Sequence, residues 1–444
     1  MDKREGKSST HPRIPGSLAV LLAAFLVLVL GPSAVAQTVV TGQTPSGAFY
    51  RIEAPVGWQP ADGLVIYNHG ISFDPVAPVT DMGPLLDVQL AEGYAVAASS
   101  FSLRGWALFQ TATDLRELLE AFEAAFAAPE EILIYGQSMG GLATAQAIEL
   151  GDLGPVTGAL PICGALAGSR IWDGALDLRL IYDFVCAGIP AASIPGGAGG
   201  LPDPPDPDFD DVALALAVNA CTGVLVPGGG SPEQQANLAT ILALVGIPES
   251  FLLTDMFVST FGLHDRVYDP PKLDGAMAMD NIGVVYDDPE VDAGIERVSS
   301  DPPARFRLLD YYTPTGEVGA VKILSIHTDK DGLVIVEHES EYASVVPPGN
   351  LTVAVVVEDE ASHCGFTDAE FVAAWEALRS WVAGAAQPSA ADLQADCEAL
   401  VGGGTAGPCR FDPDFVVGDF DDRFPPRGPI FYDGFESGDT SAWN

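Results

Sequence analysis

Ile132-Leu133-Ile134-Tyr135-Gly136-Gln137-Ser138-Met139-Gly140-Gly141-Leu142-Ala143 decides how the rest of the chain is read. Four strand-forming residues run into Gly-x-Ser-x-Gly, and a helical run of small residues, 142–150, follows at once. A tight strand-to-helix turn leaves no room beside the serine, and Gly136 and Gly140 carry no Cβ. Ser138 is therefore expected at a strained turn, its hydroxyl exposed at the positive end of the next helix. That is how a protein presents a serine nucleophile. In a chain with 48 glycines the five-residue pattern alone is weak. The strand before it and the helix after it give it weight.

Upstream, Gly63-Leu64-Val65-Ile66-Tyr67 is a nearly all-apolar strand, as a covered parallel sheet requires, and it ends in Asn68-His69-Gly70-Ile71. Residues 39–41 and 48–53 read as earlier strands, 82–92 as a helix closed by Gly93, and 94–99 as a further strand. An amphipathic helix is expected over 111–127, with Leu115, Leu118, Leu119, Phe122 and Phe126 on one face and Pro129 as its stop. Downstream, 156–160 is another strand, and then the rhythm breaks. Residues 164–315 are rich in Gly, Pro and Asp, with loops at 196–211 and 226–232 and helical runs at 212–218 and 236–245. The strand pattern returns at 321–327, followed by Asp329-Lys330-Asp331-Gly332, a helix within 334–345 and a strand at 351–357. Ala361-Ser362-His363-Cys364 comes next. Thr367 then caps a helix with Glu370 three residues on, and Phe371, Trp375, Leu378 and Val382 share one face of it. Strands alternating with helices indicate an α/β fold with a largely parallel sheet. The expected organisation is a core of 37–163 and 316–385, a cap or lid insertion at 164–315, and a loop-rich, disulfide-bearing tail at 386–444.

Residues 1–36 read as a leader. Lys3, Arg4, Lys7 and Arg13 precede an apolar run at 18–30, and Ala34-Val35-Ala36 before Gln37 fits a signal-peptidase site. The apolar run is short for a spanning helix. The chain is thus expected to be secreted or periplasmic, with no stable membrane insertion once cleaved after Ala36. Its net charge is −41, or −43 without residues 1–36, which carry four basic and two acidic residues. So acidic a chain argues against nucleic acid and anionic membrane surfaces as partners. The six cysteines, Cys163, Cys186, Cys221, Cys364, Cys397 and Cys409, allow three disulfides in an oxidising compartment. Cys397 with Cys409, bracketing a short Gly-rich loop, is the pairing expected locally; no cysteine cluster has zinc spacing.

A serine hydroxyl needs a base, and the base needs a partner that fixes its tautomer. Of the six histidines, His11 lies in the leader, His69 at a strand end, His264 in the insertion, His327 at the end of a strand and His338 in a helix. His363 follows the last strong strand, where the chain order Ser…Asp…His places the base. The acid has two nearby candidates, Asp329 and Asp331.

Here the chain resembles the α/β-hydrolase family. The resemblance covers 63–160 and 320–385, with four motifs in order, and Gly93-Tyr94-Ala95-Val96-Ala97 and Arg104-Gly105-Trp106 resemble secreted bacterial members. In Ile326-His327-Thr328-Asp329-Lys330-Asp331-Gly332-Leu333-Val334 the family's acid stands three residues before a valine, which implies Asp331, with Asp329 as the alternative. The His-Gly loop implies the Ile71 N–H as one oxyanion donor, beside the N–H of Met139. Tannase and feruloyl-esterase relatives join a cysteine before the serine to one after the histidine. Gln137 stands before Ser138 here, so that bridge is expected to be absent, with Cys364 paired elsewhere or free. The segment from Phe431 to Trp443 resembles C-terminal segments of other exported bacterial proteins.

The resemblance implies an exported serine hydrolase, with a carboxylic-ester hydrolase as the leading reading and a small-molecule ester as its partner. A serine peptidase or amidase of the same fold stays open, as does a catalytically idle binding protein. The chemistry calls for no metal and no organic cofactor.

Overall fold

Leu64 and Ile66 point to one face of a sheet and Val65 and Tyr67 to the other, as the two-residue period of a strand demands. The same alternation splits Ile132 and Ile134 from Leu133 and Tyr135, and Ala95 and Ala97 from Val96 and Ala98. Both faces are covered, so these strands are apolar throughout. A computed structural model describes residues 37–427. The leader and the segment from Phe431 to Trp443 lie outside the described residues.

The strands are β1 (Gln37–Gln43), β2 (Phe49–Pro55), β3 (Leu64–Asn68), β4 (Ala95–Ser99), β5 (Ile132–Gln137), β6 (Val156–Ile162), β7 (Lys322–Thr328) and β8 (Leu351–Val356). They form one sheet in the order β1-β2-β4-β3-β5-β6-β7-β8. β1–β2 and β2–β4 are antiparallel and every other neighbouring pair is parallel. This is the α/β-hydrolase fold expected from the sequence.

Three helices interleave the first strands: α1 (Leu86–Ala91), α2 (Thr111–Ala125) and α3 (Met139–Leu150). α1 is shorter than the expected 82–92. Gly83 takes φ 83° and Pro84 follows it, so a helical path is available only beyond them. Seven α-helices then stand between β6 and β7 among the described residues, with no strand among them. They are α4 (Ile171–Val185), α5 (Asp211–Thr222), α6 (Pro232–Val245), α7 (Leu252–Phe257), α8 (Leu263–Tyr268), α9 (Pro289–Gly294) and α10 (Pro302–Asp310). This is a helical insertion, and Cys186–Cys221 joins α4 to α5. After β7 come α11 (His338–Val345) and α12 (Asp368–Val382). The cap of α12 is as read: Thr367 N–H donates to Glu370 Oε2 at 2.9 Å, and Glu370 N–H to Thr367 Oγ1 at 3.3 Å. Phe371, Trp375 and Leu378 are buried on its inner face.

The region beyond 386 departs from the expected loop-rich tail. Ala390–Gly403 forms a further helix, α13, packed on α12, and Cys397–Cys409 closes the turn after it as anticipated. α13 buries only Leu393 and Cys397, so its amphipathic pattern is faint in the sequence. The chain then bridges the free edge of β8 through Phe411 and Val356, and α14 (Phe420–Arg423) carries it back toward the insertion. Among the described residues no single helix is long and apolar enough to cross a membrane.

Candidate active site

The C-terminal ends of the parallel strands gather the candidate residues, because the crossover loops at that end of an open sheet leave a crevice. Ser138 follows β5, Asp331 the loop after β7, His363 the loop after β8, and Ile71 the loop after β3. Ser138 has φ 57° and ψ −126°, a backbone region that costs a non-glycine residue about 1–3 kcal/mol. Its surroundings force that turn. A Cβ on Gly136 would stand 2.3 Å from the Gly140 carbonyl oxygen, and one on Gly140 would stand 2.1 Å from the Asn68 carbonyl oxygen. The Ser138 N–H is tied to the Ile162 carbonyl oxygen at 2.9 Å. Met139 opens α3, so its N–H is one that the helix itself leaves free. The 68–71 loop runs alongside, close enough that a Cβ on Gly70 would stand 3.3 Å from Ser138 Cβ.

Asp331 and His363 are in direct contact. His363 Nδ1 lies 2.6 Å from Asp331 Oδ2. The other carboxylate oxygen, Oδ1, accepts from the Leu333 and Val334 N–H groups, each at 3.0 Å, so the acid is held at both ends. Asp329 is occupied elsewhere: its Oδ1 accepts from the Glu358 N–H at 2.8 Å. The structure therefore brings Asp331, not Asp329, to the imidazole.

Cys364 is paired, with Cys163 at the end of β6. Gln137 and Ile162 are partners across β5 and β6, so the neighbouring strand supplies the cysteine that the residue before Ser138 does not. The bridge fastens the residue next to His363 to the residue next to Ile162, whose carbonyl anchors Ser138. Cys163, His363 and Cys364 lie within metal-ligand range of one another, but the two sulfurs are bonded together and offer no thiolate. Cutting a link between residues 201 apart should be costly. The Cys163→Ala/Cys364→Ala double variant is expected to lose about 2–5 kcal/mol of unfolding free energy in a denaturant titration. An unchanged midpoint would mean that the bridge carries no mechanical load.

No protein-family model and no curated protein matches the chain. Its likenesses are to solved structures. Candida antarctica lipase A in its closed state is similar over 84% of this chain and 89% of that one, with 13% identity and a TM-score of 0.42. The rice cell wall degrading esterase of Xanthomonas oryzae is similar over 78% and 90%, with 14% identity and a TM-score of 0.40. An esterase of Pyrococcus furiosus is similar over 84% and 95%, with 14% identity and a TM-score of 0.37. The fold is read from the sheet order and the Ser138 turn rather than from these likenesses.

A cavity of about 410 Å³ opens beside the serine, with Ile71, Ser138 and Met139 on its wall. Much of the remaining lining is apolar, with α4, the end of α6 and the 332–335 loop contributing to it. The C-terminal region completes it with Asp422, Arg423, Phe424, Pro425 and Arg427, a contribution that no local sequence signal announced.

Two histidines noted in the sequence turn out to brace this end of the sheet. His327 is fully buried. Its Nε2 lies 2.8 Å from the Val334 carbonyl oxygen, which can only accept, so Nε2 carries a proton. Nδ1 lies 3.0 Å from Glu339 Oε1, and Asp331 Oδ2 is 3.8 Å from Nε2. Burial alone would push the His327 pKa down; the hydrogen bond and charge of Glu339, with the charge of Asp331, outweigh it and hold it above the usual range. His327 thus lies beneath the acid, with Nε2 on Val334 and Nδ1 on Glu339. His338 is the opposite case. Its Nδ1 accepts from the Ala167 N–H at 2.8 Å, and burial, with the positive charges of His327 and Arg170, keeps it neutral. The His69 ring lies tilted against Phe101, their centroids 4.6 Å apart, and His264 Nδ1 lies 3.1 Å from the Leu201 carbonyl oxygen.

Proposed function

We propose that the protein is an exported serine hydrolase, acting on carboxylic esters through an acyl-enzyme on Ser138. The observation that carries the reading is a serine at positive φ on a cavity wall, with a carboxylate-bound imidazole on the loop after β8 at the same end of the sheet. Asp331 accepts from Nδ1–H of His363, which leaves Nε2 as the basic nitrogen. His363 takes the proton of Ser138 as Oγ attacks the carbonyl. The amides of Ile71 and Met139 hold the oxyanion; one such donor is worth about 2.7–4 kcal/mol of transition-state stabilisation. His363 then protonates the leaving alcohol, and water attacks the acyl-enzyme with His363 again as base. Export is supported by the leader pattern in residues 1–36 and by three disulfides, which persist in oxidising compartments.

A fluorophosphonate tests the assignment directly. The expected adduct is on the peptide carrying Ser138, located by mass spectrometry, with short-chain nitrophenyl esters turned over and aminoacyl anilides left intact. Turnover of anilides alone would make the protein an amidase of the same fold. No adduct and no turnover would overturn the reading.

A further inference from the structure

Asp255, on α7 of the insertion, is 92% buried and lines the same cavity as Ser138. Its carboxyl makes no hydrogen bond with any described residue, and Oδ2 is fully shielded from solvent. A carboxyl withdrawn from water normally finds a donor; leaving it without one is costly or forces it to stay protonated. The charge acting on it is a like charge, that of Asp331. Burial first, and Asp331 second, drive its pKa well above the ordinary carboxylate range.

Among the described residues no cation of the chain partners Asp255: Arg266 lies over the Trp172 ring on the cavity wall without a hydrogen-bond partner, yet the charge acting on Asp255 is that of Asp331. Arg423 donates to Glu337 Oε1 at 3.2 Å and to the Gly246 carbonyl oxygen at 2.7 Å. Arg427 is paired with Asp177 and also donates to the carbonyl oxygens of Asp173 and Asp280, each at 3.1 Å. The Nδ1 atoms of His363 and His327 are engaged by Asp331 and Glu339. The partner that Asp255 lacks is therefore one that arrives with a ligand.

We propose that Asp255 forms a subsite for a protonated amine, so that the esters preferred by this protein carry an ammonium group. The inference rests on the serine-hydrolase reading for the ester, and on Asp255 alone for the amine. A hydroxyl would supply the missing donor but do nothing against the like charge of Asp331. An ammonium supplies the donor and cancels the repulsion. The net charge of −41 draws cations toward the molecule as a whole.

The test compares benzylammonium with benzyl alcohol, the same ring with and without the charge, by titration calorimetry on the wild type and on Ser138→Ala. Both proteins are expected to bind benzylammonium at least tenfold more tightly. Asp255→Asn should bring the two affinities within about twofold of each other, and Asp255→Glu should keep the preference for the cation. Circular dichroism and a melting curve establish that each variant is folded. Equal affinities in the wild type, or a preference that survives in folded Asp255→Asn, overturn the proposal. Fluorophosphonate labelling separates the two readings. A labelled Ser138 without amine preference rejects the subsite and keeps the hydrolase. Amine preference without labelling rejects the hydrolase and keeps the subsite.

Discussion

Ser138→Ala is expected to lower kcat for a nitrophenyl ester on the order of 10⁶-fold while leaving the protein folded and as stable as the wild type. Alanine keeps the Cβ and has the same restricted backbone preferences, so the turn at φ 57° is neither relieved nor worsened. The Ser138 hydroxyl has no hydrogen-bond partner among the described residues, so its removal leaves no buried group unsatisfied. What is lost is the attacking oxygen. The amides of Ile71 and Met139 and the cavity stay in place, and they alone sustain roughly 10³–10⁴-fold over the reaction in water. Steady-state kinetics beside a thermal melt distinguish this from misfolding. A variant that retains more than about one per cent of wild-type turnover would remove Ser138 from the chemistry, because a serine nucleophile has no substitute in such a site.

The sequence announced what local patterning dictates. The all-apolar runs of β3 and β5 are strands because both faces of the sheet are covered, and their character survives in a short window. The turn at Ser138 is legible because its crowding admits only glycine at 136 and 140. The Thr367–Glu370 box is a contact between residues three apart and needs no tertiary information. What escaped is set by long-range contact. Cys163–Cys364 joins residues 201 apart through the neighbouring strand, and nothing near Gln137 points to it. His327 and Glu339 belong to a strand and to the helix after it, and their pairing follows from the path of the loop that also holds Asp331. Asp255 lies in an insertion whose Gly- and Pro-rich composition says where the chain turns but not what it lies against. The C-terminal region reaches the cavity only because it crosses the edge of β8.

Asp331→Asn is expected to lower kcat/KM about 10⁴-fold, and Asp329→Asn less than about threefold. The difference follows from where the lone pairs point. Oδ1 of Asp331 receives two N–H groups, from Leu333 and Val334. An asparagine must keep its carbonyl oxygen there, because its NH₂ would meet those donors head on. The NH₂ is then left facing His363 Nδ1 across the 2.6 Å contact, and it can only donate. His363 must respond by carrying its proton on Nε2. The nitrogen meant to accept the serine proton is then already protonated, and the imidazole loses the carboxylate that would stabilise its cation. Binding is untouched by this rearrangement, so the loss belongs in kcat with KM nearly constant. At Asp329 the amide oxygen of an asparagine still accepts from the Glu358 N–H, and no imidazole is involved. Kinetics on the two variants therefore separate neighbouring carboxylates two residues apart. Equal losses in both, or a greater loss in Asp329→Asn, would place the acid on the wrong residue and the His363 tautomer with it.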